Sequence, residues 1–377
     1  MSDKKLLLIV DDEEEIRENL ADFAEYSGFD VLQAGHGREA LELVESSSPN
    51  LIISDLMMPQ MNGLELLQEI VNRKLDIPVI IMTAFGTMEY AIDAMKKGAA
   101  DFIAKPIDLP YMMKVVNKVL SHSEMELKLK EHQKQIEEDL RHAATIQQCL
   151  LPEPIDTDYL SLIYRFEPLI AIGGDYLTVY KYSDKSIAVA LYDVSGHGIS
   201  AALTANLVHN YLQSHLSKLQ PPSQVITLLN EFISNQIGGT SMFLTLIIAV
   251  IDLETGVMKV CNAGHPDLLL WKSKDCDIQS VRSLCTPVGF TMNMLGDVRD
   301  VTLPLESGDR IVFYTDGIIE SRNAEGKMLK REGLMQMIHK HCTKPRQAFL
   351  DSMFIELKNY HSDDMEDDCT MVLVDIK

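Results

Sequence analysis

The apolar residues of this chain follow two patterns, and the change between them constrains the fold more than any other feature. In residues 1–120, the runs LLLIV, LIISDL and IPVIIMTA predict buried strands, and stretches with helical periodicity separate them. Such alternation predicts a doubly wound α/β domain with a parallel sheet. Later in the chain, the runs MFLTLIIAVID and VMKVCNAGH are joined by LETG and predict an antiparallel hairpin. We therefore expect a parallel-sheet domain followed by a domain built on antiparallel sheet.

Length and charge narrow the classes of function. The 377 residues suggest two or three domains with sizeable cores. The formal net charge of -22 argues against general affinity for nucleic acid or anionic membranes, because proteins that bind phosphates usually carry basic patches. The LLLIV run is too short for a signal or transmembrane segment, so we expect a cytoplasmic protein. Free thiols, rather than a zinc site, are expected for the scattered cysteines, which are Cys149, Cys261, Cys276, Cys285, Cys342 and Cys369.

Polar residues follow the predicted strands of the first domain at the edge where ligands of such sheets collect. Asp11 and Asp12 follow the first strand, Asp55 ends another, Thr83 follows IIM, and Lys105 precedes a proline in FIAKP. Three carboxylates at one point repel one another unless a hard cation neutralises them, which predicts bound magnesium. The lysine and the hydroxyl suit an added phosphoryl group.

The motifs IVDDEEE, SDLMMPQMNG, IMTA and FIAKP, in this order, resemble the motifs of bacterial two-component receiver domains. The resemblance implies that a histidine kinase phosphorylates Asp55. It also implies a magnesium site formed by Asp11, Asp12 and Asp55. Lys105 would pair with the phosphate, Thr83 would move toward it, and Phe102 stands where the family places its switch aromatic residue. Capping and solvation would explain any one of these acids, but not the whole set.

A long helix is predicted between the two domains. No proline or glycine occurs between Tyr111 and Leu151. A heptad repeat permits a coiled coil, although its companion positions Gln133 and Gln147 are polar and would weaken it; the repeat consists of Leu129, Ile136, Ala143 and Leu150. A marginal homodimer that responds to receiver phosphorylation is one interpretation. The alternative is a plain connecting helix packed on either domain.

Carboxylates also mark the strand edges of the second domain. They lie in IGGDY, YDVSGHG, YTDG and the DD pair before the last strand, and they are Asp175, Asp193, Asp316, Asp367 and Asp368. A single Asp-Gly is usually a turn, and Asp193 alone could be a helix cap. Four acidic sites at strand edges instead favour one centre that binds two hard cations, which would activate a water for phosphoester hydrolysis. The sequence has no GxSxG motif, so a side-chain nucleophile has little support.

The motifs IGGDY, DVSGHG, MFLTLIIAVID, NAGHP, SGDRIVFYTDG and DDCT resemble the metal-dependent serine/threonine phosphatase (PPM, PP2C-like) family, in its bacterial sporulation and stress-response branch. The preceding AATIQQCLLPEP resembles the regulatory lead-in of those phosphatases. The resemblance implies an α+β two-sheet sandwich flanked by helices, with two Mn²⁺ or Mg²⁺ ions. Asp193 would bridge both ions, with the carbonyl of Val194 as a further ligand. Asp316 and Asp367 would hold one ion and Asp175 the other through water, while Asp368 and Asn262 would support them.

Three further residues leave alternatives open. His197 is either a general acid for the leaving serine oxygen or a structural residue of its glycine turn. Arg165 either contacts phosphate or forms a surface ion pair. His265 in NAGHP is expected to fix its loop. The second acid that the family usually carries after GGDY is absent, since the sequence continues LTVY.

These inferences predict a response regulator with a receiver at residues 1–120, a helical linker or dimerisation segment at 121–152 and a phosphatase domain at 153–377. Its expected partners are a histidine kinase and a phosphoserine or phosphothreonine protein of the anti-sigma-factor-antagonist type. The alternative is an adaptor that binds sigma-factor regulators without catalysis, although an adaptor has no physical need for the core carboxylates. A DNA-binding output is disfavoured because no basic helix-turn-helix is evident. The sequence leaves open whether phosphorylation activates or inhibits.

Overall fold

A computed structural model describes residues 4–84, 88–169, 172–196, 198–237, 242–294, 296–360 and 367–377, without the side chains of 88–91. The chain divides into two units, Met1–Ile136 and Glu137–Lys377, and each is treated by itself. Within the described ranges, no helix combines the length and the apolar character needed to cross a membrane.

The first unit is a five-stranded parallel sheet in the order β2-β1-β3-β4-β5, with helices on both faces. Its elements are β1 (Leu6–Val10), α1 (Glu14–Tyr26), β2 (Asp30–Ala34), α2 (Gly37–Ser47), β3 (Leu51–Asp55), α3 (Gly63–Asn72), β4 (Val79–Ala84), α4 (Met88–Lys96), β5 (Asp101–Lys105) and α5 (Leu109–Leu150). Because both faces are covered, β1 and β3 are almost continuously apolar. The predicted doubly wound α/β fold is confirmed.

The helix α5 is one continuous element of 42 residues. Its first turns bury Met112 and Val116 in the core of the first unit. Farther along, Leu129 and Ile136 of the heptad repeat are 59% and 58% exposed, whereas Gln147 is buried in the second unit. The proposed linker at 121–152 covers the later part of this helix, and both its boundaries and the homodimer stay predictions.

The second unit contains two sheets, in the orders β14-β11-β10-β9-β8 and β13-β12-β15-β16-β7-β6. Its elements are β6 (Ile155–Asp156), β7 (Leu160–Glu167), β8 (Asp175–Lys181), β9 (Ser186–Val194), α6 (Ile199–Leu216), α7 (Pro222–Ile237), β10 (Leu244–Asp252), β11 (Val257–Ala263), β12 (Leu268–Lys272), β13 (Asp277–Val281), β14 (Val301–Pro304), β15 (Arg310–Tyr314), α8 (Asp316–Glu320), α9 (Lys330–His341), α10 (Arg346–Tyr360) and β16 (Cys369–Ile376). The predicted hairpin is β10–β11, which pairs Asp252 with Val257 across the LETG turn.

Three apolar layers build this sandwich. Side chains of both sheets form the central core, α6 and α7 cover the outer face of one sheet, and α8, α9 and α10 cover the other. Each strand alternates between the central core and the helix-covered face, so both faces need apolar residues. The predicted two-sheet sandwich flanked by helices is confirmed.

The packing of α10 provides a test of this architecture. Phe354 is 1% exposed and its neighbour Ile355 is 60% exposed. We expect Phe354→Ala to lower the free energy of unfolding of this unit by about 3–5 kcal/mol, because a buried aromatic side chain leaves a cavity. Ile355→Ala should change it by less than about 0.5 kcal/mol. The chain's one tryptophan, the buried Trp271, reports on this unit by fluorescence during urea unfolding. Equal losses in both variants would contradict the placement of α10.

Candidate functional site

At the carboxyl ends of β1, β3 and β5, one ammonium group joins two carboxylates. Lys105 Nζ lies 2.9 Å from Asp11 Oδ2 and 2.7 Å from Asp55 Oδ1. Asp11 and Asp55 are buried, whereas the side chain of Asp12 is exposed. The structure therefore brings together the predicted phosphorylation residue, one predicted magnesium ligand and the lysine, with the second acid at the surface beside them.

In this first site, burial and the neighbouring charges both shift the pKa values of Asp55 and Lys105. Burial raises the pKa of Asp55, and the Asp11 carboxylate raises it further, while Lys105 and a backbone hydrogen bond oppose the shift. Burial alone would lower the pKa of Lys105, but its hydrogen bonds to both carboxylates raise it overall. Thr83 is buried near the end of β4, and Phe102 is half-buried on β5, three residues before the lysine. The roles of these two residues stay predictions.

In the second unit, two adjacent strand ends place two acids opposite each other. Asp175 at the start of β8 pairs with Asp193 near the end of β9. Gly174 allows this close approach: a Cβ there would lie 2.7 Å from the carbonyl oxygen of Val194 and 3.1 Å from Asp193 Oδ1. Backbone and carboxylate oxygens therefore crowd around a position where no side chain fits.

The other two acidic motifs meet on the second sheet. Asp316 begins α8 directly after β15, and Asp367 and Asp368 precede β16, which pairs with β15. A Cβ on Gly317 would collide with the carbonyl oxygen of Asp368, so glycine is required where these segments touch. The antiparallel pairing thus brings the YTDG and DDCT motifs together.

Asp175 joins the two sheets through hydrogen bonds. The hydroxyl groups of Thr315 and Thr370 donate to its Oδ2 at 2.7 and 2.6 Å. The backbone N–H of Thr370 in turn donates to the Thr315 hydroxyl at 3.0 Å. Asp175 is 1% exposed, so these hydrogen bonds hold its carboxylate in one orientation between the two sheets.

Asp368 and Gln147 hold the described residues that flank positions 170–171, shortly before Asp175. Asp368 accepts hydrogen bonds from the backbone N–H groups of Leu169 at 2.8 Å and Gly174 at 2.9 Å. The Gln147 amide of α5 donates to the carbonyl oxygen of Gly173 at 2.9 Å and accepts from its N–H at 3.3 Å. The end of α5 is therefore in direct contact with the GGD segment.

The acids of this site oppose one another's ionisation. Burial raises the pKa of Asp193 to about 7, with further contributions from the charges of Asp316, Asp367 and Asp368. Burial also raises the pKa of Asp316, and Asp367 adds to it. Burial and the Asp193 charge raise the pKa of Asp175 well above its usual range, although the two threonine hydroxyls oppose this. Neighbouring buried acids of this kind are stabilised by a cation.

The donor set suits a hard divalent ion. Carboxylate oxygens and the Val194 carbonyl are the ligands that Mg²⁺ and Mn²⁺ prefer, and the glycine cradle at Gly174 exposes them. Within the ranges that the structure covers, no three acidic, histidine or cysteine side chains converge closely enough to hold an ion by themselves. Backbone carbonyl or water oxygens would therefore have to complete the coordination of a bound ion.

The remaining predicted residues lie in supporting positions. Asn262 accepts a hydrogen bond from the His265 N–H at 2.9 Å and donates to the Pro266 carbonyl at 3.1 Å, so it fixes its own loop. His265 Nδ1 lies 2.8 Å from the hydroxyl oxygen of Thr245, and burial lowers the pKa of His265 to about 3. Asn262 and His265 therefore stabilise the NAGHP turn.

The two other candidates have different outcomes. Arg165 donates two hydrogen bonds to Glu167 Oε1, at 2.8 and 2.6 Å, and so forms an ion pair, as one of its two alternatives predicts. Its guanidinium also lies over the ring of Phe354. His197 lies outside the described residues.

Three contacts were not anticipated from the sequence. Thr315 and Thr370 stand inside the YTDG and DDCT motifs, beside the acids, and only the pairing of β15 with β16 brings them both to Asp175. Gln147 is a polar residue at a companion position of the predicted heptad repeat. That polarity was the available signal, because a buried amide needs a hydrogen-bonding partner.

Comparisons with known proteins follow the same division of the chain. The response regulator receiver domain model matches residues 7–117, and the stage II sporulation protein E (SpoIIE) model matches residues 183–377. The chain is 27% identical over 248 residues to the phosphoserine phosphatase RsbU of Bacillus subtilis (strain 168), covering 64% of this chain and 71% of RsbU. It is 35% identical over 124 residues to the regulatory protein AtoC of Escherichia coli (strain K12), covering 33% of this chain and only 27% of AtoC.

A solved structure supports the fold of the second unit. The SiaA-PP2C domain of Pseudomonas aeruginosa aligns with a TM-score of 0.58 at 16% identity, covering 65% of this chain and 99% of that domain. At this identity the likeness concerns the fold alone.

The raised pKa of Asp193 predicts a pH dependence of stability in chelator. The ordinary pKa is 3.8 and the folded value is about 7, so the folded protein binds more protons between these limits. Stability should therefore fall by about 3–4 kcal/mol as the pH rises from about 4 to about 7. Urea unfolding followed by Trp271 fluorescence measures this. Asp193→Asn should flatten the slope, and Mn²⁺ should restore stability at pH 7.5. If the dependence of stability on pH is the same in Asp193→Asn as in the wild type, the raised pKa does not belong to Asp193.

Proposed function

Because the chain belongs to the SpoIIE family, we propose that it is a response regulator whose receiver controls a metal-dependent phosphoserine or phosphothreonine protein phosphatase. A receiver domain and a phosphatase-type domain are joined in this one chain. The observation that carries the proposal is the convergence of the acidic motifs at one end of the sandwich. Their mutual effect on pKa supports a site that operates with bound cations.

We assign the ligands of the phosphatase site to oxygen donors. Asp193 would hold both Mn²⁺ or Mg²⁺ ions, with the Val194 carbonyl as a further ligand. Asp316 and Asp367 would hold one of the ions, and Asp175 the other through water. Such ions, when bound, supply an activated water and polarise the phosphoryl oxygens. Two close approaches support this assignment. The backbone at Gly174 lies against the Val194 carbonyl and the Asp193 carboxylate, and the backbone at Gly317 lies against the Asp368 carbonyl.

Other residues of the chain set the geometry of these ligands. The hydroxyls of Thr315 and Thr370 orient Asp175, and Asp368 accepts hydrogen bonds from the backbone of Leu169 and Gly174. Preorganised ligands avoid the cost of rearrangement during the reaction. These residues therefore act as positioning groups around the acids.

The partners follow from the two sites. In the receiver, Asp55 would accept a phosphoryl group from a histidine kinase, with Lys105 beside it and magnesium held by Asp11, Asp12 and Asp55. The RsbU relative is named a phosphoserine phosphatase, which supports a phosphorylated regulatory protein as the substrate here. We propose that this substrate is of the anti-sigma-factor-antagonist type.

Control by the receiver requires a contact between the linker helix and the phosphatase site. The Gln147 amide provides one, because it is hydrogen-bonded to Gly173, two residues before Asp175. A shift of the end of α5 would move this loop and change the position of the Asp175 carboxylate. We propose that phosphorylation of Asp55 acts through this contact.

The enzymatic proposal is tested with a phosphoserine peptide and p-nitrophenyl phosphate. We expect hydrolysis with Mn²⁺ or Mg²⁺ and none with chelator. Asp193→Asn and Asp316→Asn should each lower kcat/KM by about 100-fold or more, since each removes a ligand charge. The matched control is Asp277→Asn, an exposed carboxylate on β13, which should keep wild-type turnover.

The opposite result identifies the rival function. If the intact protein shows no metal-dependent turnover, with or without a phosphoryl mimic on the receiver, the phosphatase proposal is wrong. The adaptor role would then be the function to pursue, by measuring partner binding to the wild type and to Asp193→Asn.

Coupling between the domains is tested with beryllofluoride, which mimics a phosphoryl group on aspartate. We expect it to change kcat/KM of the full chain by about fivefold or more, in either direction. Asp55→Ala should remove this response. Gln147→Ala should weaken the response while Asp55 still binds beryllofluoride. Light scattering on the same samples measures the proposed homodimer. Identical rates and identical mass with and without the mimic would refute receiver control.

A further inference from the structure

Two segments of the phosphatase domain contain no charged residue, although the chain is strongly acidic. Asp, Glu, Lys and Arg are absent from residues 199–217 and 283–296, whereas they form 24% of the whole sequence. The first segment contains α6, and the second lies in the connection between β13 and β14.

These two segments expose large apolar side chains. On α6, Ile199, Leu203 and Leu207 are 59%, 65% and 37% exposed, and their spacing of four residues places them on one side of the helix. In the connection, Phe290 and Met292 are 58% and 75% exposed. We call these five residues the neutral face. Exposed apolar residues that cluster in this way mark interaction surfaces.

Packing links the two parts of the neutral face. The Thr204 hydroxyl on α6 donates to the sulfur of Met242 at 3.8 Å. The adjacent Phe243 ring packs edge-on against Phe290, with 5.4 Å between ring centroids. The helix and the connection therefore flank the same segment.

The connection is held in place by α7. The Asn230 amide donates to the carbonyl oxygens of Thr291 and Met292 at 3.3 and 3.1 Å, and its Oδ1 accepts from the Gly289 N–H at 2.8 Å. Phe290 and Met292 thus project from a fixed backbone. A preorganised apolar surface loses little entropy when it binds a partner.

The neutral face begins close in sequence to Asp193, one of the proposed metal ligands. The backbone N–H of Ser195 donates to the Phe243 carbonyl at 2.9 Å, and the Ser195 hydroxyl accepts from the Phe243 N–H at 3.0 Å. Ser195 is two residues after Asp193, and α6 starts at Ile199. A protein whose phosphoserine enters the site that contains Asp193 would therefore lie beside the neutral face.

We propose that the neutral face binds apolar residues that flank the phosphoserine of a protein substrate. This inference rests on the proposed phosphatase function and specifies its substrate class. Phosphoserine carries close to two negative charges, and a chain of net charge -22 repels it over much of the surface. Two segments without charged residues beside the site add no like charge against the phosphoserine, and burial of apolar side chains supplies the attraction.

The dimensions of the surface set the expected spacing. Ile199 and Leu207 are separated by about 12 Å along the helix axis, from a rise of about 1.5 Å per residue. An extended peptide spans this distance in about four residues. The apolar residues should therefore lie within about six residues of the phosphoserine.

Two synthetic phosphoserine peptides of equal length and charge test the proposal. One carries Leu, Ile and Val within six residues of the phosphoserine, and the other carries Ser, Asn and Gln. With the full chain and Mn²⁺, with and without beryllofluoride, we expect kcat/KM to be about tenfold higher for the apolar peptide. Leu203→Glu and, independently, Phe290→Ser should lower the apolar-to-polar ratio by about fivefold or more. Ile355→Glu, at a 60% exposed position on α10, is the matched control and should keep the wild-type ratio.

Several results would overturn the inference. Equal kcat/KM for the two peptides would do so, as would an equal loss of the ratio in Ile355→Glu. If Leu203→Glu changes the mass of the protein in solution but not the ratio, the neutral face serves a second copy of the chain. Hydrolysis of p-nitrophenyl phosphate separates the two proposals: without it the phosphatase function fails and this inference falls with it, whereas hydrolysis without peptide preference refutes this inference alone.

Discussion

The phosphatase domain depends on one buried contact between its two sheets. Asp175 begins β8 of one sheet, and its carboxylate accepts hydrogen bonds from Thr315 and Thr370 of the other sheet. This contact closes the sandwich at the end where Asp193 and Asp316 lie. Without it, a buried carboxylate would lose its hydrogen-bond partners. The acidic motifs of the two sheets would also lose the contact that holds them in fixed positions relative to each other.

Both domains contain buried carboxylates close to one another, and they stabilise them in different ways. Each places carboxylates at strand ends, where burial and like charge oppose ionisation. In the receiver, Lys105 lies within hydrogen-bond distance of both Asp11 and Asp55 and compensates part of their charge. In the phosphatase domain, the buried acids raise one another's pKa and neutral hydroxyl and backbone groups orient them. A site of that kind gains stability from bound cations, and in the receiver site the Lys105 ammonium supplies one positive charge beside the proposed magnesium.

Polar and apolar features of the phosphatase surface have separate tasks. The acids at the end of the sandwich suit cations and phosphate chemistry, and the neighbouring neutral face suits apolar contact. Gln147 adds a third feature, because it connects the linker helix to the GGD loop through two hydrogen bonds. The proposed catalytic acids, the proposed substrate-binding surface and the proposed regulatory contact would therefore all lie close to the segments that carry Asp175 and Asp193.

The sequence by itself determined the fold class and the positions of the acids. Apolar periodicity distinguishes a parallel α/β sheet from an antiparallel sandwich, and short motifs place Asp55, Asp193 and Asp316 at strand ends, because both signals are local. It did not reveal that Gln147 is buried against Gly173, or that Thr315 and Thr370 share one oxygen of Asp175. Those contacts join residues 26, 140 and 195 positions apart, and only the pairing and packing of the sheets brings them together. The tertiary structure also decided which apolar residues of α6 stay exposed, since burial depends on what packs against each side of a helix.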